Sequence, residues 1–372
     1  MTWEYQQPVR IRFGNGSIRS LAEEIRQLGG RCGLLVTSPS FVRRGLAAQI
    51  MEESGGLLSQ LYSQVSPNPE VSECDACTAI LRREHCDFVV ALGGGSVMDL
   101  AKAAATMCLT DESVTAYLGT GRPVPPAHLP VIAAPTTAGT GSEITCVSVL
   151  SDHARGVKSP INSDGFYPVV AIVDPELTYS VPPHLTACTG FDVLCHAVEA
   201  FWSRYHQPVC DALAVHAVRN VLAWLPVAYE QPEHAEAREK MAEASVIAGL
   251  AFTIPKTTSA HACSYPLTNL LGIPHGEACA LTIDYFMRLN AAHGCGRPDE
   301  LARLLGYADA GVLAGKIAAM KRLLGVRTNL QDFHLTDAQL EALVQGSKHP
   351  NLKNNPVDIT EEMLREMYSA LR

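Results

Sequence analysis

Two patterns divide the chain and predict an α/β domain followed by an all-helical one. From Arg31 to Asp174, short β-rich apolar runs alternate with helical stretches, the signature of βαβ units that build a parallel sheet. After Pro182 and Pro183 the pattern turns helical almost to the end, with loops around Pro255, Gly272 and 349–356. The boundary is expected near residue 180, giving an α/β domain over 1–180 and an all-helical domain over 181–372.

In chain order, GLLVT (Gly33 to Thr37) reads as a buried strand, followed by a helix from about Phe41 to Glu53. LYSQV (Leu61 to Val65) reads as the next strand, then a turn at Pro67-Asn68-Pro69 and a helix from Val71 to His85. FVVALGGGSVMDLAKAAA gives strand, glycine turn and helix in direct succession. Gly93, Gly94 and Gly95 let the backbone approach a bound group closely, and Ser96 with the free amides of the new helix offers donors to a pyrophosphate. This is not the usual GxGxxG spacing, and a plain tight turn fits the same residues. VIAAPTTAGTGSEIT repeats the logic: a strand from Val131 to Ala134, then a loop rich in hydroxyls (Thr136, Thr137, Thr140, Ser142) and glycines. Two such loops at the carboxyl ends of parallel strands mark the crevice where open α/β sheets bind ligands. Lys158 precedes the last strand, VVAIVDPEL (Val169 to Leu177).

In the helical half, GFDVLCHAVEA sets Asp192 and His196 four residues apart, so both leave one face of a helix, one turn apart. His261 and His275 lie fourteen residues apart, within reach of a helix and the loop after it. One oxygen and three nitrogens suit Fe(II), Zn(II), Mn(II) or Ni(II), and spacing alone does not choose among them. Spacing alone is met equally by ordinary helix and loop histidines, of which the chain has 13.

The 372 residues suffice for two cores, and 47% hydrophobic residues is usual for a soluble globular protein. No uninterrupted apolar run approaches the roughly 20 residues of a membrane span, and the start MTWEYQQPVRIRFG lacks a signal pattern. Twelve cysteines without a regular framework fit a reducing compartment, so a cytoplasmic protein is expected; the one CxxC, Cys74 and Cys77, has no second pair beside it. A net charge of −9 argues against a nucleic-acid partner.

With GGGSVMDLAK, TTAGTGSE, AIVDPEL, GFDVLCHAVEAFWS and PHGEA in this order, the sequence resembles the iron-containing, or group III, alcohol dehydrogenases over nearly its whole length. The resemblance implies a Rossmann-like domain at 1–180, an all-helical metal-binding and substrate domain at 181–372, an active site in the cleft between them, and a homodimer or larger assembly. Carried over motif by motif, the metal ligands fall on Asp192, His196, His261 and His275. The dinucleotide contacts fall on Gly94, Gly95, Ser96, Asp99, Thr136, Thr137, Thr140 and Lys158, with Asn68 near the adenosine side. Glu199 and Glu277 are candidate partners of the ligands, or surface residues.

Three departures from the family pattern bear on function. Where many members carry an acidic residue for the ribose hydroxyls, this chain has Ser38 within Thr37-Ser38-Pro39-Ser40, followed by Arg43 and Arg44, so NADPH is expected to serve at least as well as NADH unless those arginines are merely solvated. The usual histidine four residues after the third ligand is replaced by Tyr265, which either donates a proton or shapes the pocket. Lys256, Thr257 and Thr258 replace the usual small residues before His261 and suit an anionic substrate group, with a solvated loop lysine as the alternative. PKTT, AHA and SYPLT are similar to phosphonoacetaldehyde reductases, a branch of the family.

The implied activity is metal-dependent, NAD(P)H-linked reduction of a small anionic aldehyde to its primary alcohol. Phosphonoacetaldehyde leads, with sulfoacetaldehyde, a short semialdehyde or a lactaldehyde-type substrate behind it. A cyclase or lyase of the dehydroquinate synthase type is the rival from another class, but its metal set includes a Glu where this chain has Asp-xxx-His. A non-catalytic binding protein has no reason to keep all four ligands.

Overall fold

The computed structural model describes residues 2–372, which divide into two compact units. One comprises Gln6–Thr137 and Gly141–Thr178; the other comprises the N-terminal residues to Tyr5, Ala138–Thr140 and Tyr179–Arg372.

The first unit contains β1 (Arg10–Phe13), α1 (Leu21–Gln27), β2 (Gly33–Thr37), α2 (Pro39–Arg43), α3 (Leu46–Glu53), β3 (Leu58–Tyr62), α4 (Val71–Arg83), β4 (Phe88–Gly93) and α5 (Gly95–Met107). β5 (Val131–Pro135), a hairpin of β6 (Val147–Asp152) and β7 (Val157–Asn162), and β8 (Val170–Val173) complete it. The six-stranded sheet runs β1-β8-β5-β4-β2-β3, parallel throughout. Its period-2 pattern is apolar on both faces. Leu34, Val36, Val89, Ala91 and Ala133 pack with helices α4 and α5, while Leu35, Val90, Leu92, Ile132 and Ala134 pack with residues of α1 and α3. Chain order reverses between β2 and β4, so their carboxyl ends, Thr37-Ser38 and Gly93-Gly94, flank the position where such sheets take ligands.

Local chemistry explains where the elements differ from the sequence pattern. Gly45, at φ 81°, breaks the helix expected over 41–53 into α2 and α3. The strand expected at Leu61–Val65 lies at Leu58–Tyr62, where its backbone pairs with β2. The last strand stops at Val173, because Asp174 turns back to accept from the amides of Gly16 and Ile18 and Pro175 opens a 3₁₀ turn. Lys158 sits inside the β6–β7 hairpin, an element the sequence pattern does not announce.

The second unit is helical: α6 (Pro183–Trp202), α7 (Pro208–Glu230), α8 (Ala235–Phe252), α9 (Ser259–Leu271), α10 (His275–Ala292), α11 (Arg297–Leu304), α12 (Ala310–Leu323), α13 (Asp337–Gly346) and α14 (Glu361–Leu371). Its core is one cluster, with Phe191, Leu194, Val198 and Phe201 of α6 meeting Val218, Val221 and Leu225 of α7 and Ile283 and Phe286 of α10. By length and hydropathy α7 passes as a membrane span. Its buried stripe of Ala214, Val218, Val221 and Leu225, against half-buried His216 and Asn220, is instead that of an amphipathic bundle helix.

Candidate metal centre and nucleotide loops

α6 enters the bundle behind Pro183 and runs twenty residues with almost every side chain buried after its first turn. One stripe of it carries Asp192, His196, Glu199 and Trp202. α10 crosses α6 at Gly276, where an added Cβ would stand 2.0 Å from the Cys188 carbonyl oxygen and 3.1 Å from the Asp192 Cβ. Glycine permits the contact that sets His275, the first residue of α10, beside Asp192. α9 carries His261.

The donors converge on Asp192 Oδ1, which stands 3.5 Å from His261 Nε2, 3.7 Å from His275 Nε2 and 4.0 Å from His196 Nε2. Asp192 Oδ1 and His261 Nε2 are buried and have no hydrogen-bond partner. Two such atoms facing each other are costly unless something bridges them. A divalent cation does so: carboxylate and imidazole are its donors, and each is left with a lone pair aimed at a common point. The four residues therefore fit the group the sequence assigns to them.

The three candidate histidines are held by neighbouring side chains. Glu199, fully buried, accepts from the Thr258 hydroxyl (2.8 Å) and the Ala260 amide (2.6 Å), and its other oxygen pairs with His261 Nδ1. Nδ1 of His261 thus keeps its hydrogen and Nε2 is left as the donor to metal. Trp202 Nε1 donates to Thr258 (2.8 Å), closing the network. His196 is sandwiched between Phe252 (ring centroids 4.2 Å apart) and His261 (4.5 Å). Ser264 Oγ lies 3.2 Å from His275 Nδ1.

Charge follows this geometry. Burial opposes ionisation of Asp192, but the imidazoles of His196, His275 and His261 outweigh it and hold the carboxyl well below its usual range. Burial pushes His196 down to about 4, against the pull of Asp192, so it is a neutral donor across the physiological range. Burial also works against charge on His261 and His275, yet Cys279 and the nearby carboxylates raise both, which makes protons the competitors of a cation here.

The other sequence candidates fall unequally. Thr258 is fully buried with its hydroxyl committed to Glu199 and Trp202, so it supports His261 and does not face a substrate anion. Thr257 accepts from Asn351 (2.8 Å). Lys256 is exposed, in the left-handed region at φ 63°, on the loop between α8 and α9. Tyr265, one turn after His261, has its ring 6.3 Å from that of His275 and 4.5 Å from that of His349, and burial pushes its hydroxyl above the usual range. Glu277 accepts from the Arg327 amide and lies 3.7 Å from His184, so of the two glutamates only Glu199 buttresses a ligand. The sequence pattern missed two residues. Cys279 stands four residues after His275, the same spacing that flagged Asp192 and His196. His349 is brought to Tyr265 only by the tertiary fold.

In the α/β unit, the loops after β4 and β5 lie together: the Thr136 amide donates to the Gly93 carbonyl (3.0 Å), and a Cβ on Gly94 would stand 3.2 Å from Thr137 Oγ1. Gly94 caps α5 with no side chain, leaving the amides of Gly95 and Ser96 at its positive end. Asp99 is more committed than expected, accepting from Ser142 Oγ (2.5 Å) and the Val149 amide (2.9 Å) and so tying α5 to the hairpin. Lys158 donates to Asn68 Oδ1 (2.8 Å), which brings two of the nucleotide candidates together. Ser38 Oγ lies 2.8 Å from Ser40 Oγ, and Arg44 stacks on Phe41 at 4.4 Å while Arg43 is exposed. Thr140 belongs by its contacts to the helical unit.

A parallel sheet with glycine-opened loops and a cluster of Asp192, His196, His261 and His275 fit a metal-containing, NAD-dependent alcohol dehydrogenase or aldehyde reductase. Residues 8–175 match the iron-containing alcohol dehydrogenase family and residues 186–371 match the C-terminal part of the Fe-containing alcohol dehydrogenase family. The chain belongs to this family. Long-chain-alcohol dehydrogenase 1 of Geobacillus thermodenitrificans is 35% identical over 377 residues, spanning 98% of this chain and 95% of the relative. Sulfoacetaldehyde reductase of Bilophila wadsworthia is 32% identical over 325 residues, spanning 87% and 83%. The crystal structure of sulfoacetaldehyde reductase from Bifidobacterium kashiwanohense in complex with NAD+ is 56% identical, with a TM-score of 0.97 over 100% of this chain and 99% of that one.

Proposed function

We propose that this enzyme reduces sulfoacetaldehyde, a two-carbon aldehyde bearing a sulfonate, to its primary alcohol, using NADPH or NADH. The observation that carries this reading is the 56% identity, over the full chain, to a sulfoacetaldehyde reductase solved with NAD+. The sequence motifs rank phosphonoacetaldehyde first, and the order reverses on that likeness together with a charge argument. A phosphoryl-type group carries about −1.5 to −2 near neutral pH, a sulfonate only one charge, and the loop before His261 offers one cation, Lys256.

A cation held by Asp192, His196, His261 and His275 supplies Lewis acidity to a carbonyl oxygen, and a nicotinamide supplies the hydride. Asp192 brings a buried negative charge to that point, and Glu199 fixes the His261 tautomer that can serve it. The Tyr265 hydroxyl, kept protonated by burial, is the donor assigned to the product oxygen. Gly94, Gly95 and Ser96 at the α5 terminus take the pyrophosphate.

The test compares kcat/KM for sulfoacetaldehyde, phosphonoacetaldehyde and propanal in the wild type and Lys256→Ala. Sulfoacetaldehyde should lead. Losing one charge-assisted contact, roughly 1.5 to 3 kcal/mol, should cost Lys256→Ala about ten- to a hundredfold on the anionic aldehydes and little on propanal. Turnover of propanal on a par with sulfoacetaldehyde would refute the anionic-substrate reading.

A further inference from the structure

His349 lies outside the four candidate ligands, on the loop between α13 and α14. Its ring packs 4.5 Å from that of Tyr265, which in turn stands 6.3 Å from the ring of His275. Both Tyr265 and His349 are half-buried. Nδ1 of His349 accepts from the Asn351 amide (3.2 Å), and burial holds the imidazole below its usual range, so the ring is neutral and carries its hydrogen on Nε2. Neither that nitrogen nor the Tyr265 hydroxyl is engaged by a hydrogen bond among the described residues. The loop itself is firmly anchored. His349 caps the short 3₁₀ turn Pro350–Asn354, and that turn is tied to the loop of Lys256 through Thr257: Asn351 Nδ2 donates to its hydroxyl (2.8 Å) and Asn354 Nδ2 to its carbonyl (2.9 Å). The next residue, Asn355, is fully buried and exchanges hydrogen bonds with Asn290 (2.9 and 3.3 Å).

We propose that His349 is a specificity-determining residue, its Nε2–H donating to an oxygen of the substrate's sulfonate while Lys256, on the loop tied to it, supplies the opposite charge. A sulfonate offers three acceptor oxygens and, near neutral pH, no proton to give. A neutral donor locked in one tautomer therefore suits it, and a hydrogen bond to a charged acceptor is among the stronger kind. A two-carbon aldehyde is short, so its far end falls in the first layer of side chains beyond the centre, and the Tyr265–His349 pair is that layer next to His275. Propanal has no acceptor at that end and gains nothing from the Nε2–H. The inference rests on the sulfoacetaldehyde reading and assigns a residue to the recognition it requires.

The test uses the full-length, metal-loaded enzyme and compares sulfoacetaldehyde with propanal in wild type, His349→Phe and His349→Gln. Phe keeps a ring against Tyr265 and removes the donor, whereas Gln gives up the ring and returns an N–H donor. In His349→Phe the ratio of kcat/KM for sulfoacetaldehyde to that for propanal should fall about tenfold or more, with the loss in KM and not in kcat. The inhibition constant of ethanesulfonate, which has the anionic end without the carbonyl, should rise in parallel, and His349→Gln should recover part of both effects. A ratio within about twofold of wild type in His349→Phe overturns the assignment. So does an equal loss on both aldehydes carried by kcat, since His349 would then only hold Tyr265 in place. Wild type that does not prefer sulfoacetaldehyde to propanal overturns the substrate reading itself, whereas a wild-type preference that survives in both variants removes only the role of His349.

Discussion

Replacing Glu199 with Gln isolates how much of the centre is set by a residue that never meets the metal. Three donors converge on the Glu199 carboxylate: the Thr258 hydroxyl, the Ala260 amide and His261 Nδ1. Gln keeps one accepting oxygen and turns the other into an NH₂ group. If the oxygen stays with Ala260 and Thr258, the NH₂ faces His261 Nδ1. His261 must then accept at Nδ1 and carry its hydrogen on Nε2, the atom aimed at Asp192. That tautomer cannot donate to a cation. Removing such a partner typically costs 10- to 100-fold in metal affinity, about 1.4 to 2.7 kcal/mol. The opposite arrangement leaves a fully buried donor unmet at a cost of about 1 to 3 kcal/mol, so the variant has no inexpensive alternative. The assay is zinc affinity by chelator competition on wild type and Glu199→Gln, with circular dichroism to show that the helices persist. A folded variant whose Kd lies within about twofold of wild type would show that Glu199 is a passive core acid and that the tautomer argument is wrong.

Two other perturbations probe the α/β unit. Wild type should use NADPH at least as well as NADH by kcat/KM, and Ser38→Asp should shift that ratio about tenfold towards NADH by repelling the 2′-phosphate, about 1.4 kcal/mol; an unchanged ratio would place the ribose away from Ser38. Burial raises the carboxyl of Glu143 to about 7, against the pull of Lys102, so it holds its proton more tightly folded than unfolded. Its contribution therefore favours folding fully below the unfolded value near 4.5 and is lost as pH climbs through about 7, a difference of up to about 3 kcal/mol. Glu143→Gln should accordingly raise Tm relative to wild type at pH 8 and not at pH 4.5, and parallel pH profiles for the two proteins would contradict this.

How much of this was legible in the sequence depended on whether an interaction is local. Asp192 and His196 share a helix face, and the glycine turn at 93–95 follows its strand directly, so both could be read from spacing. The buried runs of β2 and β4 were legible because both faces of the sheet are apolar. β1 escaped notice as a four-residue strand at the sheet edge whose burial pattern is only partial. Thr258 was misassigned because its true partners, Glu199 and Trp202, lie 59 and 56 residues away. Cys279 did carry a local signal, its four-residue offset from His275, but a cysteine on an apolar helix gives no reason to prefer ligand over core.

The crossing at Gly276 has a consequence for how such a centre can change over time. Because the Cys188 carbonyl occupies the space a side chain would need, the separation of His275 from Asp192 is a main-chain dimension, indifferent to which residues line the surroundings. A protein so built can exchange residues elsewhere around the centre, as this chain carries Lys256 and Tyr265 where its family has other residues, without readjusting that spacing. The same arrangement makes Gly276 a point of no return. Even the single methyl of alanine would wedge two helices apart at the base of the centre, and no compensating change in a side chain could close the gap, since the obstruction is backbone.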